Sequence, residues 1–167
     1  MKKTVLIFFT LFGFVTGASA QATASAYIQA TIFAPIAITK MVDMNFGSIS
    51  VQPGYGGQVT LYPDGTRYPT GGVSLPMMGG MVSPASFYVT GSDNYSYYIT
   101  LPYYDVYLYN GPNYIYANSF TSDPSGMGTL TYGSQNLNVG ATLYLDGTQP
   151  AGTYNSSMPF DVTVTYY

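Results

Sequence analysis

Apolar and polar residues alternate along two stretches of the chain, one near each end. In the N-terminal stretch the apolar residues occupy every second position, at Ala22, Ala24, Ala26, Ile28, Ala30 and Ile32. In the C-terminal stretch they are Phe160, Val162, Val164 and Tyr166. Because successive side chains of a strand point to opposite faces, each stretch predicts a β-strand with one apolar face.

Shorter alternating segments fill the region between these stretches, and clusters of turn-forming residues separate them. Residues 87–101 predict a hairpin that turns at 91–94, and residues 106–120 predict another that turns at 110–113. No segment repeats its apolar residues at the spacing of a helix. About ten to twelve short strands predict an all-β fold, a single immunoglobulin-like antiparallel β-sandwich over residues 21–167.

Two segments rich in glycine and proline, residues 52–57 and 63–80, are expected to be loops. The second ends in an apolar run, residues 76–81, which contains three methionines. We favour the interpretation that this run covers one end of the core. The alternative is a contact surface, because methionine side chains adapt to varied partners.

The first twenty residues have the three parts of a secretory signal peptide. Two lysines precede an apolar run at residues 5–15, and an Ala-Ser-Ala cleavage motif ends at residue 20. The apolar run is shorter than the about 20 residues that a membrane-spanning helix needs. We therefore expect export to the periplasm and beyond, and a mature chain of residues 21–167 without a membrane span.

The composition removes several classes of function. The chain has no cysteine, histidine or tryptophan, and only 7% of its residues are charged. Without cysteine and histidine, neither the usual transition-metal sites nor the Ser-His-Asp and Cys-His triads can form. After signal removal Lys40 and Arg67 are the only cations beside seven aspartates, so nucleic-acid binding is not expected. We predict no catalytic residue, no metal and no cofactor, and favour a structural or binding protein over an enzyme.

Tyrosine is the residue in excess, with 19 copies. Tyr103, Tyr107 and Tyr109 would share one face if their segment is extended. One interpretation is cross-strand pairing on a half-buried sheet. The other is a contact face for a glycan or a protein, because tyrosine joins an apolar ring to a polar hydroxyl.

Three segments together resemble a known family. The first segment, residues 36–49, contains Ile-Ala-Ile-Thr-Lys and Met-Asn-Phe-Gly-Ser-Ile. The second, residues 71–91, contains Gly-Gly-Val and Ser-Pro-Ala-Ser-Phe-Tyr-Val-Thr-Gly. The third, residues 137–166, contains Leu-Asn-Val-Gly-Ala, Gln-Pro-Ala-Gly-Thr-Tyr and Val-Thr-Val-Thr-Tyr. In this order and spacing they resemble a family of secreted bacterial β-domains known as a domain of unknown function, number forty-four-oh-two. The resemblance implies a class of protein and no particular activity.

The Asn-Phe-Gly segment and the C-terminal ending are also similar to spore coat protein U-type and other chaperone–usher pilin domains. Those domains are incomplete sandwiches, and the N-terminal tail of the next subunit supplies the strand that each one lacks. The similarity implies a donor strand with Ala24, Ala26, Ile28, Ala30 and Ile32 on its inserted face, and a receiving or chaperone-bound strand with Phe160, Val162, Val164 and Tyr166. Many coat-U-type pilins contain a disulfide, and this chain has no cysteine.

The N-terminal stretch therefore has two interpretations. It is either the first strand of its own sandwich or a strand that adds main-chain hydrogen bonds to a neighbouring copy. Repeated head to tail, the second contact builds an open filament. The expected partners are then copies of the chain itself and a periplasmic chaperone, and the expected location is the cell surface or outside the cell. The alternative is a secreted module that binds a glycan through its tyrosine face.

Overall fold

The structure is a computed structural model that describes residues 21–78 and 80–167. The chain divides into two units, residues 1–31 and residues 32–167. The expected signal peptide, residues 1–20, lies outside the described residues. In the first unit, residues 21–31 form no strand, and all of their side chains are exposed.

The second unit contains thirteen β-strands, and no helix occurs in the part of the chain that the structure describes. The strands in chain order are β1 (Ala37–Val42), β2 (Ser50–Val51), β3 (Gly57–Leu61), β4 (Arg67–Gly71), β5 (Val73–Ser74), β6 (Ala85–Thr90), β7 (Ser96–Thr100), β8 (Val106–Asn110), β9 (Asn113–Asp123), β10 (Met127–Thr129), β11 (Ser134–Leu145), β12 (Asn155–Ser156) and β13 (Thr163–Tyr166).

These strands form one large antiparallel sheet and two small ones. The large sheet has the order β1-β6-β11-β9-β8-β12. Its centre is β11, which pairs along one edge first with β6 and then with β3, and along the other edge with β9. Strand β4 continues the sheet beyond β3. The small sheets have the orders β10-β7-β13 and β2-β5.

The small sheets cover different parts of the inner face of the large sheet. Tyr97 of β7 is fully buried and packs in one apolar cluster with Leu137 of β11. Val73 of β5 packs in a second cluster with Leu143, farther along the same strand. Removing these apolar side chains from water is the main driving force for such a layered fold. The predicted all-β antiparallel sandwich is confirmed, while the immunoglobulin-like strand order stays a prediction.

One of the two predicted hairpins is confirmed. Strands β8 and β9 pair in register from Val106 opposite Ala117 to Asn110 opposite Asn113. Gly111 between them has a φ of 59°, a conformation that glycine adopts at little cost. Turn chemistry and alternation therefore agree in this region, and both were visible in the sequence.

The other predicted hairpin, over residues 87–101, is wrong. Strand β6 belongs to the large sheet and β7 to the three-stranded sheet, so residues 91–95 cross between layers. The backbone N–H groups of Gly91 and Asn94 donate to the carbonyls of Gly133 and Leu130, at 3.0 and 2.7 Å. The turn residues thus bond to the loops around β10, and not to a hairpin partner.

Two expectations about the glycine-rich segments are also corrected. Residues 63–80 are not all loop, since they contain β4 and β5. The methionines of the apolar run, Met77, Met78 and Met81, are exposed, so the run does not cover the core. The residues that pack on the core lie on either side of that run, at Leu75 and Val82.

Candidate functional site

Two edge strands from different sheets lie beside each other in the second unit. Strand β1 is the last strand of the large sheet, and β13 is the last strand of the three-stranded sheet. Within the described residues, neither outer edge has a strand partner. We call the space between residues 34–42 and 160–166 the slot. An open strand edge presents unpaired N–H and C=O groups, which another strand can bind.

The two sides of the slot run in opposite directions. Ala34 contacts Tyr166 at one end through a hydrogen bond of 2.8 Å. Lys40 and Phe160 line one cavity at the other end. We call the Tyr166 end, which this hydrogen bond bridges, the narrow end of the slot, and the Phe160 end, where the cavity lies, the wide end.

The wide end opens onto a cavity of about 370 Å³, whose lining includes the polar side chains of Lys40, Asp43, Asn155 and Ser156. Its apolar lining consists of Val42, Met44, Phe46, Ala85, Phe87, Val106, Leu108, Ala117, Phe120, Pro159 and Phe160. The ring of Phe160 packs against those of Phe120 and Phe87, with centroid distances of 5.0 and 6.4 Å. Lining residues come from both core clusters, so the cavity lies where neither small sheet covers the large sheet.

The narrow end is closed by three hydrogen bonds, which we call the latch. The Tyr166 hydroxyl accepts from the Ser92 backbone N–H at 2.6 Å and donates to the Ala34 carbonyl at 2.8 Å. The Ala34 N–H donates to Ser92 Oγ at 2.8 Å. Two aromatic contacts surround the latch, from Phe33 to Tyr95 at 4.7 Å and from Tyr95 to Tyr166 at 5.9 Å. The latch fixes the chain at the residue from which the N-terminal tail departs.

The predicted donor residues are all exposed. They are Ala24, Ala26, Ile28, Ala30 and Ile32. Ile28 and Ile32 are 99% and 94% exposed, and residues 21–36 form no strand. In the described structure this segment is not the first strand of its own sandwich. It is an alternating sequence whose five predicted donor side chains are exposed.

The predicted C-terminal strand residues line the slot. Val164 and Tyr166 belong to β13, where they pair with Ile99 and Tyr97. Phe160 and Val162 lie before that strand, and all four side chains are half-buried against one core cluster. The alternation predicted the inward direction of these side chains correctly, although only the second half of the segment pairs as a strand.

The cavity residues contributed by other strands were missed from the sequence. Met44, Phe87 and Phe120 are far apart in the chain, and each reads as an ordinary core residue. Their meeting at one uncovered part of the large sheet depends on which strands become neighbours. No local pattern signals this arrangement.

The tyrosine surface differs from the predicted contact face. Tyr107 and Tyr109 lie on β8, but Tyr103 precedes that strand and contacts Tyr104 instead. Five tyrosines form a ladder across β8, β9 and β11, namely Tyr107, Tyr109, Tyr114, Tyr116 and Tyr144. Their rings face one another, as in cross-strand pairs that stabilise a sheet. Contact with a glycan or a protein stays a prediction.

The aspartates at two predicted turns bond within those turns. Asp64 accepts from the hydroxyl and the N–H of Thr66, at 2.7 and 2.8 Å, and Asp146 accepts in the same way from Thr148. The side-chain hydrogen bond lowers the pKa of Asp64 most, and the backbone one lowers that of Asp146 most. Across the described residues, no three acidic side chains meet as a metal site requires.

The comparison with protein families bears on the whole slot. The sequence profile of the family described as Domain of unknown function (DUF4402) matches residues 36–166. The chain belongs to this family. The DUF4402 match begins one residue before β1 and ends at the last residue of β13, so it includes both sides of the slot from residue 36 onward. Residues 21–35 lie outside the DUF4402 match, and residues 21–33 among them are the tail.

The other comparisons identify no relative for this DUF4402 chain. Neither the curated proteins nor the solved structures include a match to it. Among the described residues there is also no helix of the length and hydropathy needed to cross a membrane.

Proposed function

We propose that this protein is an exported structural subunit that assembles with copies of itself by strand donation, without enzymatic activity. The tail of one copy, residues 21–33, occupies the slot of the next. The combination of two open strand edges beside a partly apolar cavity and an exposed alternating tail in one chain is the observation that supports this proposal most directly. Linked head to tail, such contacts extend into a filament or layer at the cell surface.

The chemistry of the tail suits the slot. An inserted strand adds main-chain hydrogen bonds to the open edge of β1 or to that of β13. The apolar face of the tail then lies on the cavity lining, away from water. Burying a side chain such as Ile28 or Ile32 stabilises the complex by about 1.5–3 kcal/mol. Ala30 between them is small enough for the inserted backbone to lie close to the large sheet.

An open slot is a hazard before assembly, because exposed strand edges and apolar surface promote aggregation. A periplasmic chaperone that occupies the same slot is therefore the second partner we propose. It would bind along β13 and release the subunit when a donor tail arrives.

Deletion of Gln21–Thr31 tests the proposal. The mature chain is expected to form large assemblies in size-exclusion chromatography and filaments or sheets in electron microscopy. The shortened chain is expected to remain monomeric, because the donor is missing while the slot is intact. Unchanged assembly of the shortened chain would reject the role of the tail.

A pair of adjacent substitutions supplies a matched control. Ile28→Asp places a charge on the apolar face of the tail, and Gln29→Asp places the same charge on the polar face. Insertion buries only the apolar face of the tail. Ile28→Asp is therefore expected to weaken the association of subunits by about tenfold or more. Gln29→Asp is expected to assemble like the unmodified chain. Equal effects of both substitutions would contradict insertion with one face inward.

A further inference from the structure

In the proposed assembly, the tail of each subunit enters the slot of another copy and not the slot of its own subunit. The tail is covalently joined to β1, which forms one side of the slot. An attached strand acts at a high effective concentration, so an intramolecular fit would normally be preferred over an intermolecular one. Something in the subunit must disfavour the intramolecular fit if assembly is to occur.

The geometry at residues 33–36 shows what an intramolecular fit would require. Strand β1 begins at Ala37, so the tail would have to reverse direction within these four residues to lie beside it. The latch occupies both the N–H and the C=O of Ala34. Pro35 has no N–H and a fixed φ, which limits the turns that this segment can adopt. A reversal that moves the Ala34 backbone therefore requires the latch to break.

The surroundings of Tyr166 keep its hydroxyl in place. A side chain larger than hydrogen at position 91 would collide with the Tyr166 hydroxyl, so Gly91 leaves the space that the hydroxyl uses. The ring contacts Tyr95, whose other neighbour is Phe33. Residues 91–95 thus hold the last strand, β13, together with the C-terminal end of the tail at Phe33.

We propose that Tyr166 is a positioning residue that directs the tail to a second copy of the chain by preventing its return into the slot of its own subunit. This inference rests on the strand donation proposed above. The latch holds the C-terminal end of the tail at the narrow end of the slot. The wide end at Phe160 stays open for the tail of another copy.

Tyr166→Phe in the mature chain tests this inference, because it keeps the ring and removes two hydrogen bonds. Two hydrogen bonds of ordinary net strength together shift an equilibrium about thirtyfold. We expect the equilibrium between monomer and assembly, measured by analytical ultracentrifugation, to shift about thirtyfold toward the monomer. In that monomer, the amides of residues 22–31 are expected to be protected from hydrogen exchange, because the tail fills its own slot.

A monomer whose own tail fills its slot is also expected to be more stable than a monomer whose slot is empty. The Tyr166→Phe monomer is expected to melt at a higher temperature than the same variant without residues 21–31. Equal melting temperatures, together with unprotected tail amides, would overturn the inference. Tyr132→Phe is the control, since that side chain is 92% exposed and its hydroxyl makes no hydrogen bond among the described residues.

The outcomes separate this inference from the proposed function. If the unmodified chain never assembles, strand donation fails and the inference fails with it. If the unmodified chain assembles through its tail and Tyr166→Phe assembles equally well, only the inference fails. Should Tyr166→Phe not fold, Ser92→Ala decides instead, because it removes the acceptor of the Ala34 N–H and leaves Tyr166 in place. It must raise the monomer fraction for the inference to stand.

Discussion

At the scale of single residues, the clearest case of a polar group inside the core is Tyr97. Its side chain is fully buried, and its hydroxyl donates to Gln135 Oε1 at 2.9 Å. The same oxygen accepts the backbone N–H of Thr129 at 2.9 Å. Gly128 is required beside the ring, because any larger side chain would collide with it. One amide side chain thus ties the three-stranded sheet to the large sheet.

Tyr97→Phe is expected to lower the free energy of unfolding by about 1 kcal/mol, the usual net value of one hydrogen bond. The loss is modest because Gln135 keeps its second donor. Burial raises the pKa of Tyr97 above its ordinary value of 10.0. Its contribution to stability is therefore complete below pH 10.0 and is lost as the pH rises through the raised pKa.

Urea unfolding of the tail-deleted chain between pH 8 and about pH 11 measures both effects of this substitution. The tail deletion keeps assembly from affecting the unfolding curves. The difference between the unmodified side chain and Tyr97→Phe is expected to shrink at the alkaline end. A difference that stays constant over the whole range would contradict the link between burial and pKa.

At the scale of elements, the β8–β9 hairpin and the central strand β11 are joined on their outer face by the tyrosine ladder. The rings of Tyr116 and Tyr144 stack with a centroid distance of 5.0 Å and an angle of 7°. These residues are directly opposite each other in the register of β9 and β11. Side-chain pairs of this kind fix the register that places Ala117 and Leu143 on the inner face.

A double-mutant cycle of Tyr116→Ala and Tyr144→Ala is expected to give a coupling energy of about 0.5–1.5 kcal/mol, the usual value for an aromatic pair. The free energy of unfolding of each variant, measured in the tail-deleted chain, supplies the cycle. The pair Tyr109 and Tyr144 is the control, because their rings do not contact each other in the described structure. Equal coupling in both cycles would show that ring contact is not the cause.

At the scale of the whole molecule, the proposed strand donation links the stability of a subunit to its assembly. In that proposal, a strand inserted into the slot covers part of the inner face of the large sheet. Any strand that binds the folded subunit but not the unfolded chain raises its stability by mass action. Under the proposed strand donation, the separate tail is therefore a ligand for the shortened chain.

A synthetic peptide of residues 21–33 is expected to stabilise the chain that lacks Gln21–Thr31. At a free concentration of 100 times its Kd, the peptide raises the free energy of unfolding by about 2.7 kcal/mol. Calorimetry across a peptide titration measures this effect as a rising melting temperature. A peptide with Ile28→Asp is the control, and stabilisation by both peptides alike would contradict recognition of the apolar face.

The sequence predicted those features whose signals are local. Alternation identified the inward direction of Phe160, Val162, Val164 and Tyr166, because strand geometry forces a period of two. Turn chemistry identified the β8–β9 hairpin in the same way. The hairpin expected over residues 87–101 failed because its turn residues bond to the β10 region, and alternation does not reveal which sheet a strand joins. Strands β4 and β5 were not predicted, because their segment is rich in glycine and proline and was therefore assigned to a loop. Proline can nevertheless occur in edge strands.

By itself, the sequence determined an all-β chain without the cysteine and histidine of transition-metal sites and catalytic triads, with an alternating segment near each end. Only the tertiary structure decided that β1 and β13 become open edges, that one cavity lies between the end of β1 and Phe160, and that Tyr166 fastens Ala34 to Ser92. The reason is physical. Periodicity depends on neighbours in the chain, whereas an unfilled slot depends on which distant strands pair and which do not.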